Sequence, residues 1–291
     1  VMGAEDNVLN GNLSGTYLAD TYRISGDLII AESDTVILNA GTEFLFDGEY
    51  SFSIYGTLKS IGTELDSIIF DNFSDEKWRG FTLEGVTDET VFEYVRISGA
   101  EKNNGGGMYL NASNPTLTHV TVSRNIAVNY GGGMRLNSSH PTLNYVTITN
   151  NEAYYAGGGM RLLSSHPTLT HVIVSSNIAT HFAGGIDIKF SNPILTFVTI
   201  INNESDAGGG ILFDDSSPIM RQVTISKNIA HNHTSGGILV WSPSNPTMTN
   251  SIIWGNNPES INGNGIPIIY YSNIEGDTTF AGEGNINSVP L

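Results

Sequence analysis

One long phrase recurs along this chain at a nearly constant spacing. GGGMRLNSSHPTLNYVTITNNEA begins at Gly131, and GGGMRLLSSHPTLTHVIVSSNIA begins at Gly157, 26 residues later. The proline and the closing asparagine of the phrase each occur six times, at steps of 26, 26, 26, 25 and 28 residues. They are Pro115, Pro141, Pro167, Pro193, Pro218 and Pro246, and Asn125, Asn151, Asn177, Asn203, Asn228 and Asn256. Such a period is typical of a solenoid, in which each copy forms one coil and cannot bury its apolar residues alone.

The apolar residues of each copy alternate with polar ones, as in Val120-Thr121-Val122. A period of two is typical of a strand with one buried face. A second short run, such as Ile186-Asp187-Ile188, lies between the glycines and the proline, and no segment has the apolar period of a helix. Two or three short strands per copy, with bends at Gly, Pro and Asn, predict an all-β parallel β-helix.

The sequence predicts a single domain over residues 1–291, with about ten coils. Regular repeats of 25–28 residues cover 105–256, residues 1–30 are predicted to cap the start, and 257–291 are predicted to form a terminal coil. Each residue stacks on its counterpart one coil later, about 4.8 Å away, so equivalent residues form columns. The column that starts at Asn125 is predicted to form a ladder of amide hydrogen bonds.

Composition limits the compartment and the partners. No run of 18 apolar residues is present, so no membrane partner is expected. The start, Val1-Met2-Gly3, contains no recognisable signal peptide, and we interpret the chain as a mature segment or an excised domain. The absence of cysteine excludes disulfides, cysteine–zinc sites and thiol nucleophiles.

The charge is strongly acidic, with 12 Lys and Arg against 29 Asp and Glu and a net charge of −17. Nucleic-acid binding needs a basic stripe, and the few cations here are scattered, so no nucleic-acid partner is expected. An acidic rod also repels pectin and other polyuronides unless Ca²⁺ bridges the charges. A neutral glycan suffers no such repulsion.

The repeat resembles the right-handed parallel β-helix superfamily of pectate lyases over nearly the whole chain. The GGGM, VSRN, ITNN, VSSN and ISKN elements are similar to the glycine-pair and FxxN repeats of chlamydial polymorphic outer-membrane proteins, with Val or Ile replacing the aromatic residue. The opening AGTEFLF, YGTLKSIG, DSIIF and WRGF resemble secreted bacterial β-helix proteins, which are often modular. A narrower resemblance is to β-helix carbohydrate-binding modules attached to gut-bacterial xylanases. These resemblances imply a right-handed solenoid that is secreted to the extracellular space.

One outward column contains the best candidates for catalysis. Aligned on the prolines, it comprises Tyr109, Arg135, Arg161, Asp187, Leu212 and Leu239. Asp187 and the nearby Asp214 are the candidate carboxylates for acid–base hydrolysis of a glycan. In the alternative interpretation, Asp187 offsets Arg161 and Lys189 pairs with Asp214 as a surface ladder that contributes little energy. No cofactor is expected; the alternative is a Ca²⁺ site from Asp214 and Asp215, although a calcium site needs more oxygen ligands than these two residues supply.

Aromatic residues cluster in the variable segments between each repeat asparagine and the next glycines. Tyr130, Tyr154, Tyr155, His181 and Phe182 fall there on successive copies, beside the outward column. Aromatic rings against sugar C–H faces, with charged groups on the hydroxyls, suit glycan recognition. The alternative is that these rings pack over a bend or seal the core. 

Two further sets of aromatic residues have simpler interpretations. His119 and His171 occupy equivalent positions and are interpreted as corner packing residues. Trp241 and Trp254 form a second candidate surface near the C-terminal end, where capping is the competing explanation.

The sequence thus favours a non-catalytic carbohydrate-binding module for a neutral plant polysaccharide such as xylan, covalently linked to a secreted glycoside hydrolase. One alternative is a polysaccharide lyase or glycoside hydrolase of the same fold. The other is a surface adhesin or structural repeat without glycan specificity. The predicted ligand-binding residues are Tyr109, Tyr130, Arg135, Tyr154, Tyr155, Arg161, His181, Phe182 and Asp187.

Overall fold

The computed structural model describes residues 7–232, 234–276 and 280–290. Residues 1–6 of the predicted cap, and residues 277–279 and 291 of the predicted terminal coil, lie outside the described residues. The strands pair in parallel and wind into a right-handed solenoid, which confirms the predicted all-β parallel β-helix. No helix occurs among the described residues, and therefore none there that could cross a membrane.

Sheet 1 follows the repeat glycines. Its first two strands are the second halves of Asn7–Asn12 and Thr21–Ile30. The others are Phe52–Ile54, Phe81–Glu84, Met108–Asn111, Met134–Asn137, Met160–Leu163, Ile186–Lys189, Ile211–Asp214, Ile238–Val240 and Ile261–Gly263.

Sheet 2 follows the repeat prolines and contains eleven strands, in close agreement with the ten coils predicted. They are Gly15–Tyr17, Thr35–Leu38, Thr57–Ile61, Val91–Glu93, Thr116–Thr118, Thr142–Asn144, Thr168–Thr170, Ile194–Thr196, Ile219–Arg221, Thr247–Thr249 and Ile268–Tyr270.

Sheet 3 precedes the repeat asparagines and joins sheet 1 through Asn7–Asn12 and Thr21–Ile30, whose first halves pair in this sheet. Its other strands are Glu43–Phe46, Ile68–Asn72, Val95–Ser98, Thr121–Ser123, Thr147–Thr149, Ile173–Ser175, Thr199–Ile201, Thr224–Ser226, Ile252–Trp254 and Asn273–Ile274.

Sheet 4 follows the asparagines and was not predicted, because its sequence varies most from copy to copy. A regular coil therefore contains four short strands rather than two or three. Main-chain hydrogen bonding along the solenoid does not depend on side chains, so variable segments can still pair. The strands are Glu101–Asn104, Ile126–Tyr130, Glu152–Ala153, Ile178–Ala179, Glu204–Ser205 and Ile229–Ala230.

The core runs the length of the solenoid and changes in character along it. In the first coils it is aromatic, with Phe44, Phe70 and Phe81 fully buried and in ring contact. From the regular repeats onward it is mainly aliphatic, as at Leu117 and Leu143, which stack in register in sheet 2. Each such side chain contributes about 1.5–3 kcal/mol on burial, so the repeated apolar columns dominate the stability of the fold.

All six repeat asparagines are buried, and their amides are joined along the solenoid axis. From Asn125 to Asn256, each Nδ2 donates to the Oδ1 of the next asparagine at 3.0 Å. The same Oδ1 accepts the preceding asparagine's backbone N–H, at 3.1 Å from Asn125 to Asn151. The predicted amide ladder is confirmed, and it satisfies polar groups that would otherwise be buried without partners.

A second ladder, of serines, was not predicted. The backbone N–H of Ser113 donates to Ser139 Oγ at 3.0 Å, and the same bond recurs along the column. Its signal in the sequence is a serine two residues before every repeat proline. 

The bend after sheet 2 bears a stack of parallel rings, with interplanar angles of 6–10° and centroid spacings of 4.5–4.9 Å. The stack comprises Tyr94, His119, Tyr145, His171 and Phe197. The predicted corner packing of the two histidines is therefore confirmed. Elsewhere the turn into sheet 1 needs glycine: Gly131 has φ +69°, and an added Cβ would lie 2.3 Å from the carbonyl oxygen of Met134.

Candidate functional site

The outer face of sheet 1 forms one wall of a groove that runs along the solenoid. Its strands are in the register predicted from the prolines, and the outward residues succeed one another coil by coil. The order along this wall is Tyr109, Arg135, Arg161, Asp187, Leu212 and Leu239.

The opposite wall comes from sheet 4 and the bend that follows it. Asn104, Tyr130, Ala156, Phe182 and Ala207 pair in succession there. The position of Ala156 is therefore occupied by Tyr130 on the preceding coil and by Phe182 on the following coil. Because two coils span about 10 Å, replacing one ring by a methyl group leaves a slot between Tyr130 and Phe182. No sequence pattern had indicated Ala156.

This slot is a pocket of about 250 Å³. Tyr155 lines it beside Ala156, and its ring meets those of Tyr130 and Phe182 edge to face, with centroids 5.2 and 5.8 Å away. Trp241 closes the C-terminal end, 5.5 Å from Phe182 between ring centroids. The structure therefore places Trp241 in this pocket, whereas Trp254 lies apart in sheet 3, paired with Ser226.

Two ion pairs form the polar lining of the pocket. Arg161 Nη1 donates to the Asp187 carboxylate, and Lys189 Nζ lies 2.5 Å from Asp214 Oδ2. Both pairs were anticipated in the surface-ladder interpretation, but the first is not on the surface: the Asp187 side chain is 3% exposed and that of Arg161 12%. A buried pair of this kind is costly to break, because removing either partner leaves a desolvated charge.

Burial raises the pKa of Asp187 to about 6, and the Arg161 guanidinium opposes the shift. The Asp214 carboxylate contributes to the rise, and Lys189 opposes it. Asp187 is therefore a carboxyl group whose protonation changes just below neutral pH.

The remaining predicted aromatic residues lie outside the slot. Tyr154 is 60% exposed and meets His181 edge to face at 5.3 Å. His181 also contacts Tyr155, at 5.4 Å, and its Nδ1 is 3.9 Å from Asp206 Oδ2. Tyr154 and His181 form an outer rim, while Tyr130, Tyr155 and Phe182 line the pocket.

The N-terminal end of the groove is cationic. Arg135 lies between two tyrosine rings, with its Cζ 5.7 Å from the centroid of Tyr109 and 5.2 Å from that of Tyr130. Lys102, which was not predicted, donates through Nζ to Thr82 Oγ1 at 2.8 Å and lies 5.8 Å from the Tyr109 centroid. It precedes the first regular repeat, so no column alignment could indicate it.

A larger pocket of about 330 Å³ lies on the outer face of sheet 3. It is lined in part by Tyr94, His119 and Tyr145 of the corner stack. Those rings cover one another's faces, so this pocket offers mainly ring edges to a ligand. The slot in the groove, by contrast, has rings on several sides and charged groups within it.

Metal ligands are sparse around both pockets. Across residues 7–232, 234–276 and 280–290, no group of three or more His, Asp or Glu side chains is placed to hold a metal ion. Asp214, the residue considered for calcium, takes Lys189 as its partner.

Comparison with known proteins identifies the family. The model of the family described as "Right handed beta helix region" matches residues 70–222, just over half of the chain. No curated protein and no solved structure matches the sequence significantly. The matched residues include four of the six repeat asparagines and much of the groove. The chain belongs to the right-handed β-helix family.

Proposed function

We propose that this β-helix is a non-catalytic, extracellular carbohydrate-binding module for a neutral plant polysaccharide such as xylan. In the full protein it is joined to a secreted glycoside hydrolase. The observation that carries the proposal is the slot over Ala156, where Tyr130, Tyr155, Phe182 and Trp241 surround two ion pairs. Concave sites with aromatic walls and a few fixed polar groups are the usual form of a small-ligand site.

The charges in the slot suit a neutral ligand. Arg161 pairs with Asp187 and Lys189 with Asp214, so the four charged groups sum to zero. Each pair still offers N–H donors and carboxylate acceptors. The cation can donate a hydrogen bond to a sugar hydroxyl, and the carboxylate can accept one from it. The net charge of −17 over the whole chain adds a general repulsion of polyanions, which a neutral polymer does not meet.

A second candidate function is glycoside hydrolysis. One observation favours it: burial raises the pKa of Asp187 to about 6, in a pocket that holds a second carboxylate, Asp214. A carboxyl group so shifted can act as a general acid near neutral pH. Against it, each carboxylate accepts a hydrogen bond from its own cation, which orients it within the wall.

The direct test is affinity electrophoresis against soluble xylan, glucan, mannan and pectin, with an assay for sugar release in each mixture. We expect retardation by a neutral glycan and no product. If the parent protein releases reducing ends and Asp187→Asn does not, the protein is a hydrolase rather than a non-catalytic binding module. Absence of retardation and of product with every polymer would favour the adhesin or structural repeat.

The slot itself is tested by filling it. Ala156→Phe places at this position the ring that Phe182 supplies on the next coil, and should abolish retardation. Because Ala156 is 1% exposed, thermal unfolding checks that this variant keeps its fold. Val128→Phe is the matched control, because Val128 lies in sheet 4 shortly before this wall, is 47% exposed and does not line the slot. Equal retardation of the Ala156→Phe and Val128→Phe proteins would place glycan binding elsewhere.

A further inference from the structure

Arg135 is an incompletely satisfied cation in a strongly acidic protein. Within the described residues its one hydrogen bond runs from Nη1 to Asn104 Oδ1, and it has no ion pair. Its Nε is buried and has no hydrogen-bond acceptor. Burial, together with the neighbouring Arg161, lowers the pKa of Arg135, whereas Tyr109 and Tyr130 oppose that shift. A buried N–H donor without an acceptor costs about 1–3 kcal/mol. Because Nε is buried, the donors of Arg135 that a ligand can use are those of its two Nη atoms.

Two tyrosines fix the direction of the guanidinium. The Cζ atoms of Arg135 and Arg161 are 5.2 and 4.1 Å from the centroid of the Tyr130 ring. The Arg135 Cζ is also 5.7 Å from the centroid of Tyr109. The rings attract the cations through their π faces, but they accept none of the in-plane N–H bonds. The Nη donors of Arg135 that do not bond to Asn104 therefore remain available to a ligand.

Lys102 adds a second positive charge at the same end of the groove. Its Nζ donates to the carbonyl oxygen of Phe81 at 2.9 Å and to Thr82 Oγ1, neither of which carries charge. Burial lowers the pKa of Lys102 to about 8, and Glu84 opposes the shift. The Glu84 carboxylate itself accepts a bond from Asn111 Nδ2 at 2.7 Å.

We propose that Lys102 and Arg135 form a subsite for a carboxylate carried by a sugar substituent. The proposal rests on the proposed function, since the sugar that bears the substituent belongs to the chain bound in the adjacent slot. Arg135 is one coil from Arg161, which lines the slot, so a side group on a bound sugar reaches it. The planar fork of arginine matches a carboxylate with two parallel hydrogen bonds. The preferred ligand is therefore a neutral polymer with sparse acidic side groups, not a polyuronide.

The experiment compares two ligands by isothermal titration calorimetry on the intact chain. One is a neutral xylo-oligosaccharide, and the other is the same oligosaccharide with one glucuronic acid side group. We expect the acidic ligand to bind about tenfold more tightly in low salt, and the ratio of affinities to fall in 0.5 M NaCl. Arg135→Gln should bring the ratio close to one. Arg124→Gln, at a 66% exposed arginine paired with Asp71 elsewhere, should leave the ratio unchanged.

The possible results separate the two proposals. Binding of both oligosaccharides with equal affinity would overturn the carboxylate subsite and leave the glycan-binding module standing. Binding of the acidic ligand alone, lost in Arg135→Gln, would support the subsite and correct the neutral-polymer assignment. Binding of neither would overturn both. Thermal unfolding of each variant confirms that a lost preference does not come from a lost fold.

Discussion

The interior columns and the groove columns of this solenoid follow opposite rules. In the interior one residue type persists through the regular repeats: asparagine from Asn125 to Asn256, and serine from Ser113 to Ser244. In the groove the residue changes from coil to coil, from tyrosine to arginine, aspartate and leucine. The uniform columns hold the coils together, and the changing columns create a local site.

The difference has a physical cause. An asparagine amide both donates and accepts, and a serine hydroxyl accepts from the backbone N–H of the preceding copy, so each copy can bond to the next without limit. A charged side chain cannot, because its next copy repels it. Arg135 and Arg161 are neighbours in one column, and both guanidinium groups lie within 5.2 Å of the centroid of the Tyr130 ring. The column then changes sign at Asp187, which pairs with Arg161.

The largest expected effect comes from breaking a uniform column. Asn203→Ala removes the acceptor for two bonds from Asn177 and the donor to the carbonyl oxygen of Val174. Because these partners remain buried, unfolding free energy should fall by about 3–5 kcal/mol. The measurement is urea unfolding followed by circular dichroism.

Asn202→Gly is the control for that change. Asn202 adjoins Asn203 in sequence but is exposed and has φ +56°, a conformation that glycine adopts without strain. Its stability should stay within about 0.5 kcal/mol of the parent protein. A similar loss for both variants would mean that the ladder stabilises no more than any corner residue.

The next effect concerns the pH dependence of stability at the groove. Burial raises the pKa of Asp187 from its usual 3.8 to about 6, so the folded chain binds this proton more tightly than the unfolded chain. The contribution of Asp187 to stability therefore decreases as the pH rises from about 4 to 6, by on the order of 2–3 kcal/mol. Asp187→Asn should remove that decrease.

Unfolding midpoints at pH 4, 5, 6 and 7 measure this difference between parent and variant. Asp215→Asn provides the control, since Asp215 is exposed on the next coil beside the same groove. Parallel pH curves for the parent and Asp187→Asn proteins would contradict the raised pKa.

Much of the fold was predictable from the sequence because uniform columns are visible as repeated letters. The asparagine ladder, the register of sheet 1 and the Arg161–Asp187 pair follow directly from aligning the prolines. Sheet 4 was not predictable in this way, because its residues vary from copy to copy. Its strands pair through main-chain hydrogen bonds, which require no repeated residue type.

The site was less predictable than the fold. It depends on the absence of a large side chain at one position and on how deeply neighbouring residues bury another. Ala156 matters only because Tyr130 and Phe182 flank it in the column. The burial of Asp187 arises from its surroundings in the folded chain, and the pairing pattern alone suggested a surface residue. Trp241 was predicted only as part of a second surface with Trp254, and its contact with Phe182 required the folded groove.

The smallest expected effect distinguishes two adjacent tyrosines in the site. Tyr155 lines the slot and contacts the rings of Tyr130 and Phe182, whereas Tyr154 lies on the outer rim and is 60% exposed. Tyr155→Ala removes part of the wall and should weaken glycan affinity about tenfold, or about 1.4 kcal/mol. Tyr154→Ala should weaken it less than about threefold.

Calorimetry with the glycan identified by electrophoresis measures both variants against the parent protein. Because the two residues are neighbours in one bend, a general disturbance of that bend would affect both substitutions alike. A larger loss in Tyr154→Ala would move the site from the slot to the exposed rim, where Tyr154 meets His181. A loss confined to Tyr155→Ala would instead show that the solenoid binds its glycan in the slot, because Tyr155 lines the slot and the more exposed Tyr154 does not.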